Sequence, residues 1–154
     1  MKRESPAQKF SVQARVRARR SVVQALYQWA MAKKSMLEVI REFEQDRSEL
    51  ARADVDYFRE ILKGIEARLE ELDTHLVPLL DRPMQVLDPV ENAILHLGIS
   101  ELLYHPELPW RVVVNESIEL AKMFGAEESH KYINCILDKA ARQIRAVELA
   151  STAT

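Results

Sequence analysis

The stretch LDPVENAILHLGISELLY, residues 87–104, sets the strongest limit on how this chain can fold. Asp88 can accept from the free N–H groups of a first helical turn. Pro89 suits the first helical position, where its missing N–H is no loss, and Glu91 stands where a capping-box carboxylate reaches back. Behind this start, Val90, Ala93, Ile94, Leu95, Leu97, Ile99, Leu102 and Leu103 point to nearly every side of a helix. Such a helix has no face to offer water, so other elements must surround it. His105-Pro106 ends it, because proline pushes the residue before it out of the α region.

The surrounding elements read as helices too. The 154 residues include only three glycines, no Asn-Gly or Asp-Gly hairpin signal and few alternating stretches, so the fold class is all-α. A first helix is expected over Arg15–Ala32, with Val22, Leu26 and Trp29 as its core stripe and Arg17, Arg20, Gln24 and Tyr27 on another face. A short helix over Met36–Phe43 and the charged break EQDRSELARAD follow. Next comes a long helix with Val55, Phe58, Ile61, Leu62, Ile65 and Leu69 at helical spacing, fading before Pro78 and LLDRP. In PWRVVVNESIELAKMFG, Val114, Ile118 and Ala121 form an apolar row opposite Asn115, Glu116, Glu119 and Lys122, with Gly125 as the C-terminal cap. The last helix, Ser129–Val147, packs through Ile133, Ile136, Leu137 and Ile144. The expected organisation is a flexible basic extension over 1–13, a single helical domain over 14–148 and a disordered tail over 149–154.

Charge is unevenly spread. Residues 1–20 hold seven basic side chains against Glu4, a local charge of +6; since the whole chain carries −2, the remainder carries −8. A basic arm suits a polyanion and an acidic body suits a basic partner. Arg15, Arg17, Arg19 and Arg20 crowd into six residues at a helix start, where the macrodipole opposes cations, so local stability does not explain them. Arginine's planar fork matches phosphate oxygens and stacks on bases, and Tyr27 adds a π-face. The plainer reading is a solvated helix start with Tyr27 at the core edge.

Catalytic patterns are missing from the sequence. His75, His96, His105 and His130 are dispersed, no two of them at i, i+4. There is no glycine-rich phosphate loop, no G-x-S-x-G and no CxxC, and Glu70-Glu71 and Glu127-Glu128 read as helix surface. No enzyme, cofactor or metal is expected. Cys135 is the single cysteine, so no internal disulfide forms; it reads as a small buried filler in a reducing compartment. No apolar run approaches the ~20 residues of a membrane span. Gln24, Gln28 and Lys33-Lys34 spoil a likeness to an export signal, so a cytoplasmic protein is expected.

The segment VNESIELAKMFGAEESHKYINCILDKAAR, Val114–Arg142, resembles the signature region of the NusB family of transcription antitermination proteins; ARRSVVQALYQW and DVDYFREILKGI resemble that family's first and third helices. The likeness covers about residues 14–145. It implies two small helical bundles packed together in a cytoplasmic bacterial factor. It also implies binding to single-stranded boxA RNA of ribosomal RNA leaders, together with NusE, the small ribosomal subunit's tenth protein, other Nus factors and RNA polymerase. Arg15, Arg17 and Arg19, with Arg20 beside them, match the family's RNA-binding arm, and Tyr27 matches its first-helix tyrosine. Glu128, His130, Lys131 and Tyr132 match a second patch near the RNA, where ordinary capping by Ser129 is the plainer reading. Glu91 and neighbouring acidic surface match the NusE-binding side. Residues 1–12 extend beyond the usual family start, Cys135 stands where glycine is common, and Tyr132 replaces a frequent phenylalanine. The rival readings are a helical protein–protein interaction module and, for a fragment, the RNA-binding front part of a ribosomal RNA methyltransferase. The resemblance leaves monomer and homodimer open.

Overall fold

Nothing between Pro6 and Met31 breaks a helix, and α1 runs the whole distance, starting nine residues before the expected Arg15. Proline is tolerated in a first turn, and the residues after it carry no second breaker. The structure, a computed structural model, describes residues 6–46 and 50–152; the first five residues of the expected extension lie outside it. The chain divides into two compact units, residues 1–66 and 67–154.

In the first unit, α1 (Pro6–Met31) is followed by α2 (Met36–Gln45) and α3 (Val55–Ala67). Ser35 caps α2, its Oγ accepting from Glu38 N at 3.2 Å. Asp54 caps α3, its Oδ1 accepting from Tyr57 N at 3.0 Å, while its own N–H donates to Ala14 O at 2.9 Å. The expected stripe holds at Val22 and Leu26, both buried, whereas Trp29 is half-buried. Phe58 is fully buried, its ring 5.8 Å from that of Phe43.

The long third helix ends early. Arg68 leaves the helical well at φ −117°, ψ 21°, so α3 stops at Ala67 and α4 covers Leu69–Leu76. At that turn the Arg68 guanidinium lies 4.0 Å from the centroid of the Tyr104 ring. Two short 3-10 turns, Val77–Leu79 and Met84–Val86, lead into α5 (Pro89–Tyr104). Asp88 caps α5 as read, its Oδ1 accepting from Val90 N at 2.8 Å and Glu91 N at 3.2 Å. Every residue from Ala93 to Leu102 is buried, as an apolar helix in the middle of a bundle must be. It packs against α4, α6 (Trp110–Phe124) and α7 (Ser129–Ile144). Buried His96 ties α5 to α4: its Nδ1 donates to Asn92 O at 2.8 Å, and its Nε2 stands 2.7 Å from Asp73 Oδ1.

Several local expectations change. On α6 the buried face is Val113, Val114, Ser117, Leu120 and Ala121, and Ile118 is only half-buried. Gly125 does close α6, but in extended backbone at φ −91°, ψ 174°, not in a left-handed cap. Its absent side chain matters for space: a Cβ there would meet Ala121 O at 2.8 Å and Ser129 Cβ at 2.9 Å. Because one neighbour is backbone and the other belongs to a buried residue, Gly125→Ala is expected to destabilise the fold by about 1–3 kcal/mol in urea titration. Unchanged stability would show that the α6–α7 turn relaxes freely.

Cys135 is exposed, not a buried filler. Its neighbours in sequence are apolar, but α7 buries Ile133, Ile136, Leu137, Ala140 and Ala141, and Cys135 falls on the opposite face. The last helix also stops sooner than expected. Arg145 turns at φ −110°, ψ 38°, and a further helix, α8, covers Ala146–Thr152 where a fraying tail was expected. The Arg145 side chain is buried and donates to Leu102 O at 2.8 Å, Leu108 O at 2.9 Å, His105 O at 3.1 Å and Glu101 O at 3.4 Å. It thereby caps the C-terminal end of α5 from 40 residues away.

Candidate nucleic-acid interface

Helix geometry divides the arginine cluster into two pairs. Arg15 and Arg19 are one turn apart and share a face. That face meets Tyr57, whose ring centroid lies 4.3 Å from the Arg15 guanidinium carbon and 5.7 Å from that of Arg19. Tyr57 is buried, and so is Arg19, at 4% exposure. Arg15 Nε also stands 3.9 Å from Asp54 Oδ2. These two cations therefore hold α1 against the start of α3, with Asp54 serving both the cap and the charge. For Arg19, burial leaves little surface for an outside ligand, contrary to its place among the expected contacts.

Arg17 and Arg20 lie on the other face with Gln24 and Tyr27. Both arginines are half-exposed and form no ion pair with a described residue. Gln24 Nε2 donates to Arg20 O at 3.4 Å, and Tyr27 is 40% exposed. The arrangement offers two uncommitted forks and one accessible ring along a single helix face. It suits a flexible phosphate chain carrying unstacked bases.

In the second unit, the EESHKY junction starts α7. Glu128 occupies the cap position without a side-chain cap bond, and Ser129 is the buried first helical residue, so the expected Ser129 cap is absent. Lys131 pairs with Glu128 at 2.7 Å, and His130 is half-buried. Tyr132 turns to the loop after the first 3-10 turn: its hydroxyl donates to Asp81 Oδ1 at 2.9 Å, and the Arg82 guanidinium carbon lies 4.6 Å from its ring centroid. Arg82 grips the same carboxylate through Nε at 2.7 Å and Nη2 at 3.1 Å.

The bonds from Arg82 and then Tyr132 hold the Asp81 carboxyl down at about 2. The sign follows from that depression: the charged cluster is complete above the ordinary carboxylate range and comes apart only as pH falls toward 2. Burial, and then the bond to Asp81, pushes the Tyr132 phenol up. Glu91 is buried at 8% exposure, so the expected acidic partner surface does not begin with an open carboxylate there.

Sequence reasoning missed Tyr57, Asp81, Arg82 and Arg145. LLDRP carries only the signal of a break, and nothing in its five residues signals a partner 51 residues later. Among the described residues, no helix is long and apolar enough to cross a membrane, and no cluster of three His, Cys, Asp or Glu side chains is placed to hold a metal.

Residues 16–142 match the NusB family. The transcription antitermination protein NusB of a Marinomonas species is 48% identical over 141 residues, covering 90% of this chain and 80% of that one. The fold is similar to T. maritima NusB, with a TM-score of 0.73 at 27% identity over 82% of this chain and 89% of that one. It is also similar to a chain in the crystal structure of antitermination factors NusB and NusE in complex with double-stranded RNA. There the TM-score is 0.74 at 21% identity, over 85% of this chain and 98% of that one.

Proposed function

The chain belongs to the NusB family, and from that premise we propose that it is a transcription antitermination factor of the bacterial cytoplasm that binds boxA RNA jointly with NusE and catalyses no reaction. The observation that carries the RNA-binding side is the α1 face on which Arg17 and Arg20 form no ion pair among the described residues and Tyr27 stays accessible. Arginine–phosphate contacts supply affinity, while unpaired bases on aromatic or guanidinium faces supply preference. NusE, a basic ribosomal protein, suits the −8 remainder of the chain, and holding both ligands raises overall affinity through effective concentration. Arg15 and Arg19 act mainly by fixing α1. Glu128, His130, Lys131 and Tyr132 form a second RNA-facing patch, and Glu91 supports the NusE side from beneath the surface.

The test is fluorescence anisotropy with labelled single-stranded boxA RNA, a scrambled strand and a boxA duplex, each with and without NusE. Tighter binding to boxA, strengthened by NusE, is the expected result. Equal weak binding to every RNA, with NusE bound normally, would leave a protein-interaction module instead. Within that assay, Tyr27→Ala is expected to lose about 1–3 kcal/mol of RNA affinity through a lost base stack. A folded variant with full affinity would return Tyr27 to the edge of the core.

A further inference from the structure

Tyr132 does not present a bare ring. One side of it is covered by the Arg82 guanidinium, 4.6 Å from its centroid, and its hydroxyl is committed to Asp81. Arg82 is in turn fixed by two bonds to that same carboxylate, so two segments of the second unit hold one guanidinium against one ring. The Arg82 side chain nevertheless remains 44% exposed. A planar cation seated on an aromatic ring and still open to solvent is a surface on which a further π-system can stack.

We propose that Arg82, seated on Tyr132 and steered by Asp81, is a stacking platform for one unpaired nucleobase. This rests on the RNA-binding reading above and assigns Tyr132 a positioning role beneath the platform. The charge arrangement separates this contact from an ordinary phosphate clamp. Asp81 already neutralises Arg82 through the edge bearing Nε and Nη2, so a base on the guanidinium face displaces few counterions. Arg17 and Arg20 are different, since neither has an ionic partner among the described residues.

The experiment is RNA binding by the full chain across a salt series, using boxA RNA and a set of boxA strands each lacking one base. Arg82→Ala and Arg82→Lys are both expected to weaken binding roughly 5- to 150-fold with the salt slope unchanged, because lysine keeps the charge but not the plane. In the intact protein, one abasic position should cost affinity, and in Arg82→Ala that position should cost nothing further. Asp81→Asn should free the fork for phosphate and steepen the slope by about 0.7. Both side chains, Arg82 and Asp81, are exposed, and thermal melts should confirm that the variants fold.

Full affinity in Arg82→Ala, with Tyr27→Ala still impaired, would overturn the platform and leave the RNA-binding reading standing. A loss that appears only when NusE is present would move Arg82 to the protein-binding side, again overturning the platform. Absence of RNA binding by the intact protein would overturn both.

Discussion

Replacing Arg145 by alanine is expected to lower the thermal unfolding midpoint by about 6–12 °C, the equivalent of ~3 kcal/mol in a domain of this size. A helix leaves its last carbonyls without intrahelical partners and gathers negative partial charge at that end. At the end of α5 the buried Arg145 guanidinium donates to Leu102 O at 2.8 Å and to Glu101 O at 3.4 Å, and it also reaches His105 O at the cap at 3.1 Å and Leu108 O in the following loop at 2.9 Å. Alanine would remove a charged donor from buried Leu102 O and leave Glu101 O and His105 O with only their bonds from His105 N and Leu108 N, which costs more than losing an exposed pair. Arg145→Lys should recover only part of the loss, because a single ammonium cannot span acceptors that a planar fork reaches together. Arg142→Ala is the matched control: it removes an exposed pair with Asp138 and should cost no more than about 0.5 kcal/mol. A melt of Arg145→Ala within a degree of the parent would mean that water replaces the guanidinium, and the cap assignment would fail.

The second large effect concerns ionic strength. On the proposed function, changing Arg17 and Arg20 together to alanine should flatten the salt dependence of boxA binding by about 1.4 in log–log slope, ~0.7 for each phosphate contact on a single strand. Affinity should fall most at low salt, and the unfolding midpoint should stay close to the parent, since both side chains are half-exposed and without ionic partners among the described residues. Arg19→Ala should behave in the opposite way. Its side chain is buried beside Tyr57, so the variant should lose stability first and RNA affinity only as a consequence. An unchanged salt slope in the double variant would remove α1 from the RNA interface. A flattened slope in a fully stable Arg19→Ala would show that the division of the cluster into two pairs is wrong.

Much of this was legible because it depends on neighbours in the chain. The Asp88-Pro89 start and His105-Pro106 stop bound α5, and its all-round apolar surface predicted its central burial, since cap chemistry and helical period are properties of a few consecutive residues. The signature run from Val114 to Arg142 was likewise enough to identify the family, and residues 16–142 match it. Side-chain facing was less legible. The apolar neighbours of Cys135 along the chain suggest burial, whereas its exposure follows from the face of α7 on which it falls. The turns at Arg68 and Arg145 could not be read either, because nothing in ARLEEL or RQIRAV disfavours a helix; at both positions a guanidinium meets a distant ring or helix end.

The arginine cluster marks the boundary between the two kinds of information. The sequence by itself determined an all-α chain with a buried central helix, a basic arm on an acidic remainder and membership of a family. Each of these follows from composition, period or an ordered motif. Only the tertiary structure decided that Arg15 and Arg19 are spent on Tyr57 while Arg17 and Arg20 form no ion pair among the described residues, that Arg82 covers Tyr132, and that Arg145 closes α5. The physical reason is range. Helix propensity and periodicity act over a few residues, but a cation's partner is set by which ring, carboxylate or helix end the folded chain brings within a few ångströms of it.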